Sequence, residues 1–293
     1  MSAQRPARWT VLRLLDWTKE HLARAGVEAP RLAAEVLLAH ALGCRRIDVY
    51  TRFEYEPSQA ERARFRELIV RAARHEPIAY LVGEKEFYSL RFKITPDVLV
   101  PRPETELLVA EAVAYLGGLS RPARMWDACT GSGCVAIAVA AQVPDVHVLA
   151  TDISEPAVAV AAENAAAHSV TDRVLCRVAN LLALPEDLND WTNLDTITAN
   201  PPYVADGAEV AVEVLHEPAL ALRAGPDGLD CIRAIVRDAP SHLRPGGALI
   251  MEFGYDQADA VRQLIIDTGA FDEPKIVRDH QHIERCAVAM RKE

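Results

Sequence analysis

The chain has 293 residues, half of them hydrophobic and a quarter charged, which suits one large globular domain or a small domain followed by a medium one. No apolar stretch approaches the roughly 20 residues that span a bilayer, and the opening "MSAQRPARWTVLRLLDW" lacks the continuous apolar run of a secretory signal. A cytoplasmic protein with no membrane partner is therefore expected.

Charge is divided unevenly. Residues 1–80 carry 14 Lys and Arg against 10 Asp and Glu, and the remainder carries 18 against 32. The larger, acidic part is poorly suited to gripping a phosphate backbone, which argues against DNA as a partner. Six scattered cysteines, with no CxxC pair and no histidine at ligand spacing, read as reduced thiols and predict no metal centre.

Residues 1–80 read as a helical domain. Val11, Leu14, Leu15, Thr18 and Leu22 recur at three- and four-residue steps, and Gly26 supplies a stop. "RLAAEVLLAHALG" follows Pro30 and closes at Gly43, and Ser58 is placed to cap "QAERARFRELIVRAARHE" ahead of Pro77. Residues 81–100 alternate aromatic and β-branched with polar side chains, as a β-hairpin linker does. "PRPETE" (Pro101 to Glu106) then makes a stiff corner into the helix "TELLVAEAVAYL", with Glu104 and Glu106 placed to close over a site and Arg102 to brace the corner against one of them.

Residues 101–293 form the third region. Here strands ("ARMWDA", "VHVLATD", "DRVLCRVAN", "LDTITAN", "ALIMEFG", "KIVRD", "RCAVAMR") alternate with helices ("GCVAIAVAAQV", "SEPAVAVAAENAAAH", "GLDCIRAIVRDAPSHL", "YDQADAVRQLIIDTG"), with "RPGG" as a turn. The alternation predicts an α/β fold, an open and mostly parallel sheet with helices on both faces and ligands at the carboxyl ends of its strands.

Two stretches at those ends carry chemistry. "DACTGSGCVAIA" puts Gly131 and Gly133 between a strand and a helix, where backbone can approach a ligand, and Asp152 ends the next strand with a carboxylate for two ribose hydroxyls. This loop fits NAD and S-adenosylmethionine equally. "TITANPPYVADG" decides between them. A planar nitrogen is a poor nucleophile, because its lone pair is delocalised. The Asn200 side-chain oxygen and the Pro201 carbonyl can accept both of its N–H bonds, while Pro202 stiffens the corner and Tyr203 stacks on the flat group. Such a site serves methyl transfer from a sulfonium.

Asn-Pro-Pro-Tyr after a glycine loop resembles the class I, Rossmann-like methyltransferases that act on planar nitrogens. "GEKEFYSLRFKITPDVLVPRPETELLV", "TGSG", "NPPYV", "EPALAL" and "GPDGLD", in that order, resemble the release-factor glutamine methyltransferases, the HemK/PrmC family, over nearly the whole chain. The resemblance implies S-adenosyl-L-methionine as cofactor and methylation of the Gln in the Gly-Gly-Gln loop of class I peptide chain release factors, by a monomer. It places the methionine portion of the cofactor along Cys129, Thr130, Gly131, Ser132 and Gly133, the ribose at Asp152 and the adenine at Asn180 and Leu181, with Asn200 next to both cofactor and substrate.

Cys129 stands where the family usually has Gly, and is strained if that position needs a positive φ. Asn180 and Leu181 stand for an acidic residue and an aromatic, "HEP" for Tyr-Glu-Pro, and "QHIER" for a Gly-Arg-Asp-Arg-like turn. Asp127 is placed either to meet the cofactor's ammonium or to hold the loop, and His216 is the nearest histidine to the acceptor motif. The other readings are an adenine-specific DNA methylase and a cofactor-binding relative without catalysis.

Overall fold

A computed structural model describes residues 8–293, which form two units: a helical unit that runs to Gly83 and includes Ala211–His216, and a sheet unit of Glu84–Val210 and Glu217–Glu293. Among the described residues no helix is long and apolar enough to cross a membrane.

In the helical unit α1 (Val11–Arg24) buries the predicted stripe Val11, Leu14, Leu15, Thr18 and Leu22, and Thr10 Oγ1 caps it by accepting from Arg13 N at 3.4 Å. α2 (Pro30–Leu42) starts on Pro30 and ends at Gly43, whose φ of +61° is open to glycine at little cost. α4 (Gln59–Ala72) has the expected cap in full: Ser58 Oγ accepts from Glu61 N at 3.2 Å, and Glu61 Oε2 accepts from Ser58 N at 2.6 Å. It stops at Ala72, short of the predicted end, and His75 takes φ +65°. Two five-residue helices, α3 (Arg46–Tyr50) and α5 (Ile78–Val82), are too short for hydrophobic periodicity to reveal. Leu22, Leu37, Leu38 and Phe65 form the centre of this core. The segment 211–216 belongs to this unit, with His75 Nδ1 at 2.7 Å from Glu213 Oε1.

The sheet unit opens with the hairpin β1 (Glu84–Phe87) and β2 (Leu90–Lys93). Its two-residue turn, Tyr88 and Ser89, takes φ +48° and +61°, the mirror-image geometry that matches strand twist. Asn164 clamps the hairpin at both backbone groups of Lys93, accepting from its N at 2.7 Å and donating to its O at 3.1 Å.

The main sheet is built from β3 (Ala123–Ala128), β4 (Val146–Asp152), β5 (Val174–Val178), β6 (Leu194–Ala199), β7 (Leu243–Glu252), β8 (Lys275–Arg278) and β9 (Glu284–Met290). Their order is β5-β4-β3-β6-β7-β9-β8; the first five run parallel, and β9 pairs antiparallel with β7 and β8. The connecting helices are α6 (Glu106–Leu116), α7 (Cys134–Gln142), α8 (Glu155–Ala167), α9 (Asp230–His242) and α10 (Ala258–Asp267). This is the expected α/β fold, an open and mostly parallel sheet.

"RPGG" is not a turn. It lies within β7, where the register with β6 shifts between Leu194 and Thr196, and Gly246 takes φ +69°. Four residues of β7, Arg244 to Gly247, here stand against Asp195 alone, an irregularity within the strand rather than a chain reversal. Beside it Asp195, fully buried on β6, accepts from Arg121, Arg244 and the backbone N of Arg124, which hold its carboxyl below the usual range against the desolvation that raises it.

Candidate functional site

The chain reverses its direction of winding at β3, with β4 on one side and β6 on the other, so the loops after β3 and β6 diverge and leave a crevice. A cavity occupies it, lined by Cys129, Thr130, Gly131, Ser132, Asp152, Asn180, Leu181, Asn200 and Pro202 among the expected residues, and by Asp127, Thr105 and Cys231 besides. Gly133, Pro201 and Tyr203 do not line it. A Cβ on Gly133 would meet Ile137 at 3.0 Å and Ala161 at 3.1 Å, so this glycine permits close packing of α7 on α8. Pro201 is buried.

The loop after β3 is held from three sides. Thr130 N donates to Thr151 O at 2.9 Å, Gly131 N to Asp152 Oδ2 at 2.9 Å, and Asn164 Nδ2 to Ser132 O at 2.8 Å. Asp127, 2% exposed, accepts from the hydroxyls of Thr130 and Thr198 at 2.6 Å each, which joins the loop to β6. Burial raises its pKa to about 6, with the two hydroxyls pulling the other way. These bonds support the loop-holding role for Asp127. Cys129 does take a left-handed conformation, φ +58°, which costs a residue with a Cβ about 1–2 kcal/mol. Its thiol is pushed well up by burial and stays protonated. Leu181 is left-handed too, at φ +50°.

Asp152 is a preorganised acceptor. Its two oxygens take Gly131 N and Ser154 N at 2.9 and 3.0 Å, while burial raises its pKa. A carboxylate oxygen carries more than one acceptor site, so capacity for a diol remains on the cavity side. Asp152→Ala should weaken binding of a ribose-bearing cofactor by roughly 1–3 kcal/mol through lost charge-assisted bonds. Titration calorimetry showing unchanged affinity would remove Asp152 from the site.

The loop after β6 presents Asn200. Its Nδ2 donates to Thr105 Oγ1 at 3.1 Å, so its Oδ1 is the group left to accept on the cavity wall. Tyr203 points its hydroxyl to Glu252 Oε1 at 3.3 Å, and its ring packs on the sheet core. Gln257 Nε2 donates to Tyr203 O at 3.0 Å. The corner "PRPETE" is braced differently from expectation: Arg102 pairs with buried Glu217, whose Oε2 also accepts from Val100 N at 3.1 Å, and Glu106 accepts from Tyr88 N at 2.9 Å. His216 lies in the 211–216 segment of the helical unit.

Residues 13–83 match the family model of the PrmC N-terminal domain, and residues 105–227 that of the methyltransferase small domain. Over 283 residues the chain is 40% identical to the release factor glutamine methyltransferase of Rhodopirellula baltica, covering 94% of this chain and 95% of that one. This chain belongs to the release factor glutamine methyltransferase family. The family relative from Moorella thermoacetica is 41% identical over 286 residues, 97% of this chain and 99% of its own. A methyltransferase structure from Pyrococcus furiosus shares the fold at 16% identity, with a TM-score of 0.51 over 79% of this chain and 98% of its own.

In this glutamine methyltransferase several supporting residues escaped the sequence reading. Thr105, Glu252, Gln257, Gly228 and Asn164 all touch the site loops or their partners. Only two had a visible signal: Gly228 in "GPDGLD", and Glu252 as a lone acid at the end of the apolar run "ALIM".

Proposed function

We propose that the protein transfers the methyl group of S-adenosylmethionine to the side-chain amide nitrogen of the glutamine in the Gly-Gly-Gln loop of class I peptide chain release factors. The observation that carries this reading is the orientation of Asn200, whose nitrogen is engaged by Thr105 and whose oxygen is left as an acceptor. The donor set fits the cofactor: glycine-loop backbone at residues 129–132, the Asp152 carboxylate for the ribose, and Asn180 with Leu181 for the adenine. When bound, the cofactor supplies a methyl group made electrophilic by its sulfonium.

The chain's own residues then have defined tasks. Asn200 Oδ1 and the Pro201 carbonyl accept the two N–H bonds of the glutamine amide, which draws electron density onto nitrogen and fixes the direction of its lone pair. Tyr203, anchored by its hydroxyl, covers the flat face. An amide nitrogen that has gained a methyl is strongly acidic and sheds its proton to water, so the chain need not supply a base.

The helical unit serves as the docking surface for the release factor, which accords with its excess of basic residues. A truncated chain starting near Leu81 should bind S-adenosylmethionine yet methylate release factor poorly. Full-length activity in that truncation would remove the docking role.

The reading is tested with labelled cofactor and three acceptors: native release factor, the same factor with its Gly-Gly-Gln glutamine changed to Glu, and duplex DNA. Only the first should take label. Labelling of the Glu variant at the native rate would show that the acceptor is another group, and labelling of DNA would favour an adenine methylase.

A further inference from the structure

Glu217 is a buried carboxylate, 6% exposed, and one short stretch of chain occupies both of its oxygens. Oε1 accepts from Arg102, and Oε2 accepts from Val100 N at 3.1 Å. A carboxylate taken out of water is tolerated only when it is paired, so the two contacts reinforce each other. Glu217 does not line the cavity, and the chemistry set out above makes no use of it.

The segments it joins do line the cavity. After Glu217 the chain continues through Pro218 and Leu220 on one wall, while Pro101 and Arg102 stand on another. The two contacts span 117 and 115 positions of sequence. Arg102 sits between Pro101 and Pro103, whose rings fix their own φ near about −65°, so the corner has little freedom to bend. Arg102 O accepts from Thr105 N at 3.2 Å across the short 3-10 helix Pro103–Thr105. Thr105, 2% exposed, then accepts from Asn200 Nδ2 at 3.1 Å. That is the one side-chain hydrogen bond Asn200 makes among the described residues. The Asn200 amide is therefore placed by Thr105, Thr105 by the corner, and the corner by Glu217.

We propose that Glu217 is a positioning residue for methyl transfer: by pinning Val100 and Arg102 it fixes the corner that presents Thr105 to Asn200, and so aims the Asn200 oxygen at the acceptor amide. This rests on the reading of Asn200 as the acceptor-binding group.

Glu217→Gln shows how the pin works. The amide has the shape of the carboxylate but one oxygen instead of two. Val100 N and Arg102 are both donors, so in either orientation the new NH2 faces a donor and one contact is lost. The corner must shift to relieve it, and a displacement of about 1 Å at a positioned group can cost on the order of 10²-fold in rate. Asn200 acts on the transition state, so the loss falls on kcat and spares the affinity of the groups on β3 and β4 for cofactor.

The test measures kcat, KM for release factor and calorimetric affinity for S-adenosylmethionine, with thermal unfolding to show that each protein is folded. Glu217→Gln should lose about 10–100-fold in kcat, with KM and cofactor affinity within about threefold of native. Arg102→Met should lose as much, and Arg102→Lys, which keeps a charged donor for Oε1, should recover most of the rate. This pair carries the comparison if Glu217→Gln is unfolded at the assay temperature. The decisive measurement is a double-mutant cycle. If Glu217 acts through Asn200, adding Glu217→Gln, or Arg102→Met, to Asn200→Ala should cost less than about threefold further, because the amide it aims is gone. A folded Glu217→Gln enzyme with native kcat, a loss undiminished in the Asn200→Ala background, or cofactor affinity that falls as far as kcat would each overturn the proposal. Native protein that methylates no release factor, or Asn200→Ala at the native rate, would instead overturn the function reading and this inference with it.

Discussion

Asn200→Ala should lower the rate of methyl transfer to release factor by about 10²–10³ and leave cofactor affinity nearly unchanged, the signature of losing a positioned acceptor that acts in the transition state. The geometry explains why the loss falls on rate. Asn200 reaches the cavity from the end of β6, whereas Gly131 and Asp152, the groups proposed to hold the cofactor, hang on β3 and β4 and are tied to each other at 2.9 Å. Removing the amide frees one N–H of the glutamine, which can then rotate and carry its lone pair off the methyl axis. Asn200→Asp is the more searching change. Its carboxylate keeps an acceptor in place but has no proton for Thr105, and it adds a negative charge to the cavity wall. We expect it to hold part of the activity at most. Single-turnover rates together with calorimetric affinity separate the two effects, and an alanine variant with native single-turnover rate would remove Asn200 from the chemistry.

Gly228→Ala is expected to be the most damaging single-methyl change to this site. Gly228 takes φ +73°, and a Cβ there would lie 2.2 Å from Tyr203 O and 2.9 Å from Ala205 N. The left-handed backbone alone costs about 1–2 kcal/mol, and overpacking against main chain adds about 1–3 more. The sum, about 2–5 kcal/mol, is read as a lower urea midpoint. Because the overlap falls on the backbone of Tyr203, methyl transfer should fall as well, even in the fraction that remains folded. Gly43→Ala is the control: its φ is +61° and its Cβ would meet nothing within 4 Å, so it carries the backbone cost without the overlap. Equal destabilisation by the two changes would show that close approach at Gly228 is unimportant.

Where a feature depends on residues near one another in the chain, it was legible without a structure. The α1 stripe, the Ser58 cap, the strands at Ala123–Ala128 and Val146–Asp152, and the glycine loop with Asp152 are all written in short-range spacing or turn chemistry. The short helices α3 and α5 were not, because five residues hold too little of a helical period. "RPGG" misled because the same residues serve turns and bulges, and the pairing with β6 chooses between them.

The sequence by itself determined the alternating α/β plan, the glycine loop and the presence of an amide, two prolines and a ring at a strand end, since each is encoded within a dozen neighbouring residues. Only the tertiary structure decided what those groups meet. Asn200 meets Thr105 across 95 positions, Arg102 meets Glu217 across 115, and Tyr203 meets Glu252 across 49. The direction in which an amide faces depends on the proton of its neighbour, and that neighbour arrives on a different element. No local pattern records such a meeting; it exists once the sheet has set β3, β6 and β7 side by side.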